Sequence, residues 1–192
     1  MTVTSTFPRR ETARPAVSDC LVASGLSLRH AADTDRPFLQ ALFASFRAEE
    51  MALIPWPQPQ KEAFLAEQFR LQHHHFVTHY RGADFWIVER SHRAEEGSPL
   101  GRFYLNRTAP LWRVVDIGFL PEARGQGFGS ALLKWAQVCA IEAGAAGIDL
   151  HVLLTNPRAQ MLYRSLGFQV EGEPEGYHQR MAWRPAPQLN TA

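Results

Sequence analysis

The chain has 192 residues and a mass of 21.7 kDa, enough for one domain with its own core and too short for two ordinary domains. Twenty Lys+Arg against nineteen Asp+Glu leave a formal charge of +1, which excludes a protein that coats nucleic acid through bulk charge. Two cysteines, Cys20 and Cys139, exclude a disulfide framework; no apolar run reaches the 18 residues of a membrane span, and Arg9-Arg10 are followed by no apolar stretch like that of a secretory signal. The expectation is a cytoplasmic protein with neither nucleic acid nor membrane as partner.

Residues 1–25 are rich in Thr, Ser, Ala, Pro and Arg without periodicity and read as a flexible tail, as do 185–192. The folded domain is expected over 26–184. Leu26 to His30 alternates like a short strand. Asp33-Thr34-Asp35 offers a helix N-cap. Phe38, Leu39, Leu42, Phe43 and Phe46 then follow at helical spacing, predicting a helix to about Glu50. Pro55, Pro57 and Pro59 make a loop. A second helix begins near Gln60, with Leu65, Phe69, His73, Phe76 and Tyr80 along one stripe.

After Gly82 the period changes. Phe85–Val88, Arg102–Leu105 and Trp112–Leu120 read as a three-stranded meander, with a polar turn over 92–99. A helix is expected from Phe128 to about Ala143, a strand over Ile148–Leu154, and a helix from Pro157 to Leu166 stopped by Gly167. Two short strands, Phe168–Val170 and Tyr177–Trp183, close the domain. The order β-α-α-β-β-β-α-β-α-β-β predicts a single α/β domain with a mixed central sheet flanked by helices.

The most informative stretch runs from Val115 to Ser130. A buried strand ends in a turn containing Gly125, Gly127 and Gly129, which opens a helix. Glycines let a ligand approach the backbone, and the free N–H groups of a first helical turn favour an anion such as pyrophosphate. No Gly-Lys-Ser/Thr follows, so the nucleotide-triphosphate loop is excluded. The dinucleotide fingerprint fails as well: Ser130 or Leu132 stands where its third glycine belongs, and Thr155 and Asn156 stand where its acidic residue belongs.

Arg124-x-x-Gly127-x-Gly129 after a strand resembles the acyl-coenzyme A loop of the GNAT superfamily of N-acetyltransferases. A second block, Asn156-x-x-Ala159-x-x-x-Tyr163-x-x-x-Gly167-Phe168, is similar to another signature of that superfamily. The resemblance spans about 26–184 and draws its specificity from 114–168. It implies a GNAT-like fold and acetyl-CoA as acyl-donor cosubstrate, with no metal. The backbone of Ile117, Gly118 and Phe119 would pair with the pantetheine arm. Arg124 belongs to the loop, and the N–H groups of Gly125, Gln126, Gly127, Phe128, Gly129 and Ser130 would hold the pyrophosphate. Asn156 would bond the pantetheine arm or a nearby backbone group. Tyr163 would lie beside the thioester sulfur and protonate the leaving thiolate.

Acyl transfer to an amine also needs the amine neutral. Asp116, a carboxylate in an apolar strand just before the loop, is the candidate base or amine-orienting group; the alternative is an ion pair with Arg102 or Arg113. Some relatives carry glutamate three positions earlier on this strand, where this chain has Arg113. His151 is a candidate proton relay, and Trp56 with His73 a candidate lining for the acceptor site. His75 and His79 share a helix face, but no carboxylate or cysteine completes a metal site. The expected function is direct acetyl transfer to a primary amine of a small molecule or peptide. The alternative is a non-catalytic acyl-CoA-binding regulatory module, and homodimerisation is left open.

Overall fold

The computed structural model describes residues 6–8, 19–91 and 97–186. Seven strands form one sheet in the order β1-β2-β3-β4-β5-β7-β6. They are β1 (Leu26–His30), β2 (Ala83–Arg90), β3 (Pro99–Asn106), β4 (Leu111–Phe119), β5 (Gly147–Leu153), β6 (Gln169–Val170) and β7 (His178–Trp183). The helices are α1 (Asp19–Ala23), α2 (Arg36–Phe46), α3 (Ala48–Ala52), α4 (Gln58–His79), α5 (Phe128–Glu142) and α6 (Pro157–Ser165). Every strand pairing is antiparallel except β4 with β5. That parallel step requires a crossover, which α5 supplies.

Each face of the sheet has its own core. On one face Trp86, Phe103, Trp112, Val114, Ile148, Leu150 and Met181 pack with Leu132, Trp135 and Ala136 of α5. On the other, Phe85, Ile87 and Tyr104 pack with Leu39, Leu42 and Phe43 of α2 and Phe69 and Val77 of α4. No residue of β5, β6 or β7 joins this second core, so among the described residues α2 and α4 cover β2 to β4, while His151 and Leu153 of β5 and His178 of β7 stay exposed.

Three local expectations are corrected. Asp33-Thr34-Asp35 forms a 3-10 turn. The Asp35 carboxylate does not cap α2; it accepts from the Ala32 N–H at 2.8 Å and from both terminal nitrogens of Arg29 at 2.7 Å. A charge-assisted bidentate bond outcompetes a neutral cap. The first helix stops at Phe46 and restarts as α3, with Arg47 out of helical geometry between them. The second starts at Gln58, because Pro59 falls in its first turn, where no N–H is needed.

The boundary of the folded domain also lies earlier than position 26. Leu21 is buried in the first core and Phe7 in the second, against the rings of His73 and Phe85. Residues 1–5 and 9–18 lie outside the described residues, as do 187–192 and most of the turn at 92–99.

Candidate active site

The site starts from a defect in the sheet. The β4–β5 ladder runs from Leu111↔Gly147 to Val114↔Leu150 and stops there. Both strands continue, β4 to Phe119 and β5 to Leu153, each still paired on its outer edge. Beyond Val114 their facing edges therefore part. A bulge helps: Tyr104 pairs with Asp116 but Leu105 with Val114, so Val115 is the extra residue. A bulge bends its strand and adds twist. Ile117, Gly118 and Phe119 thus line a cleft with one backbone edge unpaired.

The glycine loop closes one end of this cleft. Gly125 and Gly127 have φ of 78° and 82°, and Gly127 is the N-cap of α5. Only glycine takes this left-handed backbone without strain. Among the described residues, no backbone carbonyl accepts from the N–H groups of Gly125 to Ser130; the first to be satisfied is Ala131, which donates to the Gly127 carbonyl at 3.0 Å. Six N–H groups without a recorded backbone acceptor thus lie in the loop and first turn at the positive end of a 15-residue helix.

Arginine side chains surround the loop. Arg124 turns inward: its Nε donates to the Phe119 carbonyl at 3.0 Å and its Nη2 to Ser45 Oγ at 3.2 Å, and it lies over the Phe46 ring. Its side chain braces the loop against β4 and α2. Arg158 Nη2 lies 3.2 Å from where a Cβ on Gly125 would sit, and Arg90 packs over the Phe128 ring and donates to Gln126. These two cations suit a polyanion, and sequence reasoning missed both. Arg158 sits inside the Asn156–Phe168 block, where its proximity to Gly125 could have been suspected. Arg90 is 36 residues from Gln126 and left no local signal.

Asn156 caps α6, its Oδ1 accepting from the Ala159 N–H at 3.0 Å. Tyr163 lies on α6, 7% exposed, with its ring near Phe168. Burial pushes its hydroxyl up to about 12, and the charge of Asp116 adds to the shift. The phenol is therefore a neutral O–H donor across the physiological range.

Asp116 is not a free carboxylate. Its Oδ2 is ion-paired with Nε of Arg102 from the neighbouring strand. The Arg102 side chain is only 2% exposed, against 22% for Asp116. Arg102 Nη2 donates to Gln72 Oε1 at 3.0 Å, and the rings of Phe46, Phe76 and Tyr104 surround the guanidinium at 5.5 to 5.8 Å. Of the two arginines considered as partners, Arg102 is the one used. Arg113 instead binds Asp149 through two bonds of 2.9 and 2.6 Å.

Other candidates separate. His73 is buried between Phe7 and Phe69 and lines no open site, whereas Trp56 is 38% exposed against Phe64. His75 and His79 stack on each other, and among the described residues no group of three metal-ligating side chains forms. A groove of about 410 Å³ between α2 and α4, lined by Arg36, Gln40, Ala44, Glu62 and Leu65, includes none of the expected site residues.

Residues 81–170 match the family described as "Acetyltransferase (GNAT) domain". Among curated proteins, the chain is similar to the thialysine N-epsilon-acetyltransferase of Bos taurus, 44% identical over 63 residues, or 33% of this chain and 37% of that protein. It also resembles the mycothiol acetyltransferase of Frankia alni, 34% identical over 95 residues, or 50% of this chain and 26% of that protein. The matches thus span between about a quarter and little more than a third of these relatives' length. Among solved structures, the PaiA N-acetyltransferase of Thermoplasma acidophilum, in complex with coenzyme A, superposes with a TM-score of 0.62. It is 16% identical over 83% of this chain and 99% of that one, a likeness of fold.

Proposed function

We propose, from the match of residues 81–170 to the GNAT acetyltransferase domain, that the chain is an acetyl-CoA-dependent N-acetyltransferase acting directly on a primary amine. The observation that carries the reading is the parted β4–β5 edge running into the N–H cradle of Gly125–Ser130. A pantetheine arm needs an extended slot with backbone partners, and a pyrophosphate needs clustered N–H donors. The two lie end to end here, and Arg90 and Arg158 add positive charge.

Acetyl-CoA would supply an activated thioester. The residues of this chain would bind it, exclude water and handle protons. Tyr163, held neutral by burial, would give its proton to the departing sulfur. The acceptor must arrive unprotonated: an amine with pKa near 10.4 costs about 4–5 kcal/mol to neutralise at pH 7, at about 1.36 kcal/mol per unit. Asp116, anchored by Arg102 at the bend of β4, would orient that amine and take its proton directly or through water.

Release of free thiol from acetyl-CoA against a panel of amines tests the proposal, alongside calorimetric titration with CoA. Acetyl-dependent thiol release with at least one amine is expected. CoA binding with no turnover on any amine would favour a regulatory acyl-CoA module instead.

A further inference from the structure

The open part of the sheet face beside the cleft carries an arrangement that amine acetylation does not itself require. Asp149 of β5 is 1% exposed. Arg113 of β4 grips both its oxygens, and Arg180 of β7 donates Nε to Oδ2 at 3.0 Å. Burial pushes the Asp149 carboxyl up, but the bonds to Arg113 and Arg180 outweigh it and hold the group below its usual range. It is an anion with two cations fixed above it. Both arginine side chains remain about one-third exposed.

Such a pair has donors to spare. A guanidinium has five N–H donors. Asp149 takes two from Arg113 and one from Arg180, and the Tyr80 side chain, just past the end of α4, favours the charged form of Arg113. Glu171 reaches Arg180 at 3.5 Å, and it bonds Arg184 more closely, at 2.9 Å. Glu171 is thus taken up mainly by Arg184, and Arg113 and Arg180 together stand against the one carboxylate of Asp149. His151, paired with Arg180 across β5 and β7, borders the cluster; burial and Arg113 lower its pKa, so it adds no charge at neutral pH. Glu175 also acts on His151 and is exposed in the loop before β7.

The position matters as much as the charge. Arg113 and Asp149 form the last ladder pair but one before β4 and β5 part. Asp116 lies three residues further along β4, or roughly 10 Å at about 3.3 Å per residue. The bulge at Val115 brings Asp116 onto the face that Arg113 shares. One end of the acceptor approach therefore holds the Asp116 carboxylate, paired with Arg102, and the other presents the guanidiniums of Arg113 and Arg180.

We infer that the acceptor carries a carboxylate or similar oxyanion several bonds from its amine, and that Arg113 and Arg180 bind that group. The inference rests on the acetyltransferase reading above. A polyamine would bring a second cation against the same arginines. Because Asp149 already fixes both forks, an incoming carboxylate meets donors that need little further ordering.

Three acceptors of equal length separate the possibilities: 6-aminohexanoate, 6-aminohexanamide and 1,6-diaminohexane. With full-length protein and acetyl-CoA, kcat/KM should be about 10-fold or more higher for the carboxylate than for the amide, as expected for charge-assisted bonds. The diamine should be poorest. The preference should sit in KM and weaken as salt is raised. In Arg180→Gln, which leaves Arg113 to neutralise Asp149, the carboxylate-to-amide ratio should fall about tenfold. Equal use of carboxylate and amide, preference for the diamine, or an unchanged ratio in Arg180→Gln would overturn the inference and leave the acetyltransferase reading standing. CoA binding with no thiol release from any amine would overturn both.

Discussion

Asp116 and Arg102 form an ion pair between adjacent strands in which the arginine is the buried partner, at 2% exposure against 22%. The guanidinium, ringed by Phe46, Phe76 and Tyr104, depends on this carboxylate for its neutralisation. Asp116 therefore has two tasks, and its substitution should show both. Asp116→Asn should lower the melting temperature, since breaking a buried pair costs about 3–5 kcal/mol. If the carboxylate also handles the amine's proton, kcat/KM should fall most at neutral pH and recover as the pH approaches that of the free amine. Profiles from pH 6 to 10 for both proteins decide this. Parallel profiles with a lowered melting temperature would leave only the structural task.

Gly127 is the N-cap of α5 and the centre of the proposed phosphate cradle. Gly127→Asp forces a side chain into a left-handed backbone position at φ 82° and puts a negative charge at the N-terminus of α5. Calorimetry should show CoA affinity lowered at least tenfold. An unchanged affinity in a folded variant would remove the cradle from the site.

Tyr163→Phe deletes the hydroxyl and keeps the ring against Phe168. Turnover should fall about 100-fold or more, with acetyl-CoA binding little changed. The variant also has a pH signature. In the folded protein the phenol ionises only near 12, whereas an unfolded tyrosine ionises near 10. The unfolded state thus loses its proton first, and wild-type stability should decline between pH 10 and 12 by about 2–3 kcal/mol from this group. Tyr163→Phe should lack that part of the decline. Thermal melts at pH 8, 10 and 11 measure it; equal alkaline losses in the two proteins would count against the buried phenol.

Gly118 is required for a reason unrelated to its φ. A Cβ there would meet Phe46 Cζ at 2.4 Å. Phe46 in turn lies against both Arg102 and Arg124. Gly118→Ala should cost about 1–3 kcal/mol of stability, as overpacking does, and should weaken CoA binding through Arg124. A denaturant melt paired with CoA titration tests both; a neutral effect on each would mean that Phe46 moves aside freely.

The sequence by itself determined whatever depends on neighbours along the chain. The helices and strands around the two motif blocks, the Gly127 cap, the Asn156 cap and the placement of Tyr163 on a helix all follow from periodicity and from residues within a few positions of one another. The fold class followed from the order of those elements. Only the tertiary structure decided what depends on residues far apart. It chose Arg102 over Arg113 as the partner of Asp116, and it joined Arg113 to Asp149, 36 residues away. It took Asp35 from the cap of α2 to Arg29, and it seated Phe7 and Leu21, from a stretch without periodicity, in opposite cores. It also ended the β4–β5 ladder at Val114, which opens the cleft. Local pattern limits what each residue can do, but ion-pair partners, strand register and burial are settled by long-range competition among many possible contacts, and the assembled sheet resolves that competition.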